Sequence, residues 1–154
     1  MQKDHSIYWR LASVFGLGKA PVAPGTAATL IAGIPCFIAA GRFPWQIQLI
    51  FAGAVFWIGW VVSEKTEREL GRTDPGEVVI DELCGYLVAM TGHAVSFPSI
   101  LTGFLLFRLF DIWKPWPIRS VETKLTGGAA IMIDDVLAGI CANVLGLIIL
   151  KFVS

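Results

Sequence analysis

Phe104-Leu-Leu-Phe-Arg-Leu-Phe-Asp-Ile-Trp-Lys-Pro-Trp-Pro-Ile-Arg119 sets the terms for the rest of the chain. An apolar run carries Arg108 and Asp111 in its last turns, then breaks into a cationic loop rich in Pro and Trp. Arg108, Asp111 and Lys114 recur every three residues, so a helix places them on one face. Burying charge beside that much apolar surface is costly, and ionisable groups within apolar segments are candidates for function. The plainer alternative is a structural Arg108–Asp111 pair at a helix end, worth little by itself. The other charges decide between the two.

Composition narrows the class. The chain has 154 residues, the length of one domain, and 1–154 is taken as a single unit. Hydrophobic residues make up 55% and charged residues 16%, against about 25% charged in an ordinary soluble domain. Mean hydropathy is +0.69. These values point to an integral membrane protein. Formal net charge is zero, so no nucleic-acid partner is expected, and attraction to anions must come from where the cations sit. Cys36, Cys84 and Cys141 lie in apolar runs without metal-type spacing and read as buried, inert thiols. The opening residues mix charges and lack the pattern of a cleavable signal peptide.

Working outward, Ser6–Phe15 is amphipathic enough for a short helix at a membrane surface. The loop Gly16–Gly25 holds constrained Pro and Gly positions just before a helix start, where backbone N–H groups are able to face an anion. It is not a Walker A loop: Ser13 stands where the first glycine is required, and Ala20 replaces Ser/Thr. Five apolar runs follow, Thr26–Gly41, Ile47–Ser63, Val78–Val95, Phe97–Trp113 and Ile131–Val153, with a polar segment Glu64–Glu77 between the second and third. Each reads as helix, so the expected fold is all-α. It would be a compact membrane bundle of about four to five apolar helices with a polar site at its cytoplasmic face. Spanning takes about 20 residues, and several runs sit at or below that, which leaves a partly immersed bundle open.

Alternating five helices from a cytoplasmic N-terminus gathers Lys3, Arg10, Lys19, Lys65, Arg68, Arg72, Arg108, Lys114, Arg119 and Lys124 on one side. Arg42 and Lys151 fall opposite, a strong positive-inside bias. The same topology levels Asp81-Glu82, Arg108, Asp111, Asp134-Asp135 and the Lys19–Thr26 loop at one face. Five carboxylates near one plane repel one another unless a hard divalent cation joins them, and oxygen ligands suit Mg²⁺. Asp81, Glu82, Asp134 and Asp135 are the candidate ligands, with Asp111 as orienting partner, extra ligand or base. Gly85, Ala89, Gly139 and Asn143, at four-residue spacing behind these acids, allow the two helices to approach closely. Lys19, Arg108, Lys114 and Arg119 are candidate phosphate holders. Acids with a cation on one side and Arg or Lys on the other suit phosphoryl chemistry.

Other phosphatase chemistries fit poorly. Cys36–Arg42 has C-x₅-R spacing, but Cys36 is in an apolar segment on the opposite side, without the electropositive setting a thiolate needs. His5 and His93 are isolated from each other, and no D-x-D-x-T stretch is present. A small transporter or non-catalytic membrane subunit is the alternative from another class. An ion pathway spreads charge through the depth of the bilayer, whereas these charges gather at one face.

Four blocks then match a known family. Phe15-Gly-Leu-Gly-Lys-Ala-Pro-Val-Ala-Pro-Gly-Thr26, Val79-Ile-Asp-Glu82, Phe107–Arg119 and Gly127-Gly-Ala-Ala-Ile-Met-Ile-Asp-Asp-Val-Leu-Ala-Gly139 resemble phosphatidylglycerophosphatase A in order and approximate spacing. The resemblance implies a bacterial inner-membrane, Mg²⁺-dependent lipid phosphatase converting phosphatidylglycerophosphate to phosphatidylglycerol and phosphate. Its partners would be the membrane and an anionic phospholipid substrate. A lipid phosphatase of different head-group preference, for example for phosphatidate, remains the nearer alternative.

Overall fold

A computed structural model describes residues 6–116, 118–122 and 124–153; Lys3, His5 and Pro117 lie outside them. The described residues form helices and turns without strands. In order these are α1 (Ile7–Ala12), a 3₁₀ turn (Leu17–Lys19), α2 (Pro24–Ala28), a π turn (Thr29–Gly33), α3 (Ile34–Ala40), α4 (Trp45–Leu70), α5 (Ile80–Met90), α6 (Phe97–Trp113), α7 (Ile118–Glu122) and α8 (Gly128–Val153). Helices α2 and α3 run on through the π turn as one apolar rod, Pro24–Ala40. The wide turn falls just ahead of Pro35, whose ring and missing N–H do not fit a regular α-helical ladder.

Helix α5 is the axis. Its packing against α8 is the most extensive in the molecule, and α4, α6 and the π turn close around it. Ile80, Cys84, Gly85, Tyr86, Leu87, Ala89 and Met90 are all buried. The closest approach uses glycine on both helices. A Cβ on Gly139 would stand 2.3 Å from the Gly85 carbonyl oxygen, and one on Gly85 would stand 2.6 Å from that of Asp135. The small-residue face expected from Gly85 and Gly139 is therefore real, and it draws the two acidic pairs together. Replacing Gly139 by Val should cost about 1–3 kcal/mol of stability and lower Tm in a detergent melt; an unchanged Tm would contradict this packing.

The third apolar run is shorter than its sequence promised. It ends at Met90 because Thr91-Gly92 turns the chain, Gly92 having φ +82°. A helix ending inside an apolar bundle must still satisfy its last carbonyls. Asn143 does this from α8, its Nδ2 donating to the carbonyls of Val88 (3.2 Å), Ala89 (2.9 Å) and Thr91 (2.8 Å). The Gly92 N–H donates to Gln48 Oε1 at 3.0 Å.

About four to five apolar helices were expected, several of them at or below spanning length; among the described residues two are long and apolar enough to cross a membrane, Trp45–Leu70 and Gly128–Phe152. At 1.5 Å per residue, the 11 residues of α5 reach about 16 Å, roughly half a hydrocarbon core. Only 28% and 33% of the apolar stretches of the two long helices are buried inside the protein, so most of each faces outward. Ile50, Trp57, Leu105, Leu109 and Ile148 are among the large exposed side chains. An apolar exterior of this kind fits membrane association. Helix α1 packs on α4, burying Trp9 and Ala12, and leaves Ile7 and Tyr8 exposed.

Candidate active site

The first turns of α2 and α5, the second turn of α8 and the last two turns of α6 meet at one end of the bundle. They enclose a cleft of about 300 Å³ lined by Asp81, Glu82, Asp111, Asp134 and Asp135, and by the cations Arg108 and Lys114. Each side chain is placed for a local reason. Asp81 and Glu82 follow the Thr73-Asp74-Pro75-Gly76 turn into the first turn of α5, where the helix dipole favours acids. Lys114 ends α6 in the left-handed conformation, φ +44°, donating its N–H to the Phe110 carbonyl at 2.9 Å; Pro115 then stops the helix.

Arg108 is the hub of one wall. Its Nη1 contacts Glu82 Oε2 at 2.5 Å and Asp111 Oδ2 at 2.7 Å, joining α5 to α6. The Arg108–Asp111 pair proposed from spacing is thus present, but as part of a three-residue bridge. Glu82 lies against Gly25, where a Cβ would overlap its carboxylate. That close approach explains a glycine at the mouth of α2. Across the cleft, Lys114 Nζ reaches Asp134 Oδ2 at 2.7 Å, while Asp134 Oδ1 accepts the Asp135 N–H at 3.0 Å.

Acids outweigh cations here, and their chemistry shows it. Burial pushes the Glu82 carboxyl up to about 7 against the pull of Arg108, with Asp111 adding to the push. Burial, then the nearby charges of Glu82 and Asp134, raise Asp81 well above the usual carboxylate range. Asp81 Oδ1 and Asp135 Oδ2 are shut off from water and have no hydrogen-bond partner, an expensive condition for a carboxylate oxygen. Among the described residues, no group of three or more His, Cys, Asp or Glu side chains stands as a finished cation cage; Glu82 and Asp134 are paired with Arg108 and Lys114. The orphaned oxygens of Asp81 and Asp135 are nevertheless what a hard cation would satisfy.

Two of the expected phosphate holders do not line the cleft. Lys19 is exposed with its Nζ 4.6 Å from the centre of the Trp9 ring, and Arg119 is exposed on α7. Conversely, sequence reasoning passed over Asp74, which lines the cleft. Its backbone is left-handed, φ +45°, and its N–H donates to Glu67 Oε1 at 2.7 Å. The Asp-Pro-Gly turn signature was the available signal. Cys36 lines an apolar groove with Phe43 and Phe51, and His93 lies buried near Gly146; neither lines the cleft.

The family model for phosphatidylglycerophosphatase A matches residues 10–150. Phosphatidylglycerophosphatase A of Escherichia coli (strain K12) is 37% identical over 134 residues, covering 86% of this chain and 77% of that protein. The protein of the same name from Haemophilus influenzae is 41% identical over 133 residues, covering 86% and 82%. A third relative, from Bacteroides thetaiotaomicron, is 36% identical over 138 residues, covering 85% and 86%; its name, given provisionally, is phosphatidylinositol-3-phosphatase. No solved structure matches the chain at a significant level.

Proposed function

This chain belongs to the phosphatidylglycerophosphatase A family of phosphoric monoester hydrolases, and from that premise we propose that it hydrolyses the terminal phosphomonoester of phosphatidylglycerophosphate. The products are phosphatidylglycerol and inorganic phosphate, a step of glycerophospholipid synthesis. One observation carries the reading: all five candidate acids and two of the four candidate cations line a single cleft.

In this reading Arg108 and Lys114 hold the phosphate oxygens and stabilise charge on them as the bond to the leaving glycerol oxygen breaks. Asp111 and Glu82 fix the guanidinium between them, so its orientation is set before substrate arrives. A cleft carboxylate takes the proton of the attacking water or orients it. Asp81, Glu82, Asp134 and Asp135 would hold Mg²⁺, which supplies neutralisation of phosphate charge when bound. Lys19 and Arg119 act outside the cleft.

The charge distribution and the two long apolar helices support a multi-pass protein of the bacterial inner membrane with the cleft on the cytoplasmic side. Phosphate release from a panel of lipid and soluble phosphomonoesters tests the assignment. Phosphatidylglycerophosphate should be turned over fastest, phosphatidate more slowly, and chelator should abolish both activities. Faster release from phosphatidate would change the substrate; ion flux in liposomes without phosphate release would replace the enzyme reading with a transporter.

A further inference from the structure

The turns that build the cleft have a second peculiarity. Among the described residues, non-glycine left-handed backbone occurs at Val14, Phe15, Ala23, Asp74 and Lys114, positions that cost energy outside glycine and are unusual for a β-branched residue. Several adjoin large apolar side chains held in the open. Phe15 is 81% exposed, Val22 beside Ala23 is 81% exposed, and Trp113 and Trp116 around Lys114 are 68% and 83% exposed. Ala23, with Pro24 and Gly25, and Lys114 line the cleft, while the exposed Val22 and Trp113 next to them in the chain do not. Exposed aromatic surface in a strained turn is a double cost that water does not offset.

We propose that Val22, Ile112, Trp113 and Trp116 form an apolar rim, flanked by the cations Lys19 and Arg119, that seats the cleft's mouth in the head-group layer of an anionic lipid leaflet. The proposal rests on the phosphatase reading and adds how the substrate is met. The rim continues the exposed apolar face of α6, where Leu101, Leu105 and Leu109 precede Ile112. Trp is suited to this depth because its ring is apolar and its N–H polar. The cations match in sign, since Lys and Arg beside an anionic leaflet are drawn to its negative surface potential. They account for Lys19 and Arg119, which the cleft leaves unused. A cleft at this depth would take a phosphorylated head group from the side while the acyl chains stay in the bilayer.

The test compares the full chain with the variants W113A/W116A and K19A/R119A on two forms of one substrate. One form is long-chain phosphatidylglycerophosphate in vesicles of stated anionic lipid content; the other is a short-chain analogue kept monomeric in water with the protein in neutral detergent. W113A/W116A should raise KM for the vesicle substrate by about tenfold, equivalent to 1.4 kcal/mol, and leave kcat and the monomeric reaction unchanged. K19A/R119A should lose the wild-type gain in activity as anionic lipid is added. Equal losses on both substrate forms, or no loss on either, would overturn the rim. Quenching of Trp113 and Trp116 by lipids labelled at head-group depth, read as the wild-type signal minus that of W113F/W116F, gives the answer without any turnover. Absence of that quenching overturns the rim even if phosphatase activity stands, and its presence upholds the rim even if the substrate assignment fails.

Discussion

Asp81→Asn should reduce Mg²⁺-dependent phosphate release by about 10²–10³-fold, the usual cost of deleting one electrostatic group from a preorganised phosphoryl site. The same substitution should leave Tm unchanged or raise it when no divalent cation is added. The two effects have one origin. Asp81 is crowded by Glu82 and Asp134, and its Oδ1 has no partner, so neutralising it relieves repulsion that the fold otherwise bears. Sites that trade stability for function behave this way. Wild-type turnover in Asp81→Asn would remove the acid wall from the mechanism. A large drop in Tm would show instead that the carboxylate holds the helix start together. Asp135→Asn provides the parallel case on α8, where Oδ2 is the unpartnered atom.

The second large effect concerns Arg108. Arg108→Ala leaves Glu82 and Asp111 facing each other without the guanidinium that joins them. Removing one partner of a buried ion pair costs about 3–5 kcal/mol; the group is shielded but not wholly enclosed, so the lower end is expected. Phosphate release should fall with it. Arg108→Lys separates the two roles. A single ammonium keeps the charge but lacks the planar, multi-donor guanidinium whose Nη1 contacts both carboxylates. It should recover part of the Tm while turnover stays at least about tenfold low, a gap of roughly 1.4 kcal/mol in barrier. Denaturation and phosphate release on the same detergent preparations give both readings. If Arg108→Lys recovered full turnover, the guanidinium's geometry would have no part in holding phosphate.

The grouping of the cleft's charges was more legible than the lengths of the helices. Charges buried in apolar sequence are costly wherever they occur, so Asp81, Glu82, Arg108, Asp111, Asp134 and Asp135 stood out without any knowledge of packing. Their convergence followed from alternating the apolar helices with the cations gathered on one side. Apolar content does not report length within a membrane in the same way. Val78–Val95 reads as one apolar helix, yet α5 stops at Met90, because Thr91-Gly92 turns and Asn143 is available to take its carbonyls. That decision is made by a side chain more than fifty positions away, which no local pattern contains. Asp74 escaped notice because it is an exposed acid in a polar segment, where charge is ordinary. Lys19 and Arg119 were drawn in because the expected topology put their loops on the same side as the acids, but neither side chain lines the cleft.

The Asn143 cap also bears on how such a protein is made. Helix α5 cannot end comfortably in an apolar interior until α8 has been synthesised and has brought Asn143 to it. The glycine contact between Gly85 and Gly139 waits on the same event, as do Asp134 and Asp135. During biosynthesis the nascent chain therefore carries an uncapped central helix and three of the five candidate acids until α8 arrives. Closure of the bundle and completion of the cleft become a single late step, so a chain halted before α8 would have no partly working site to offer.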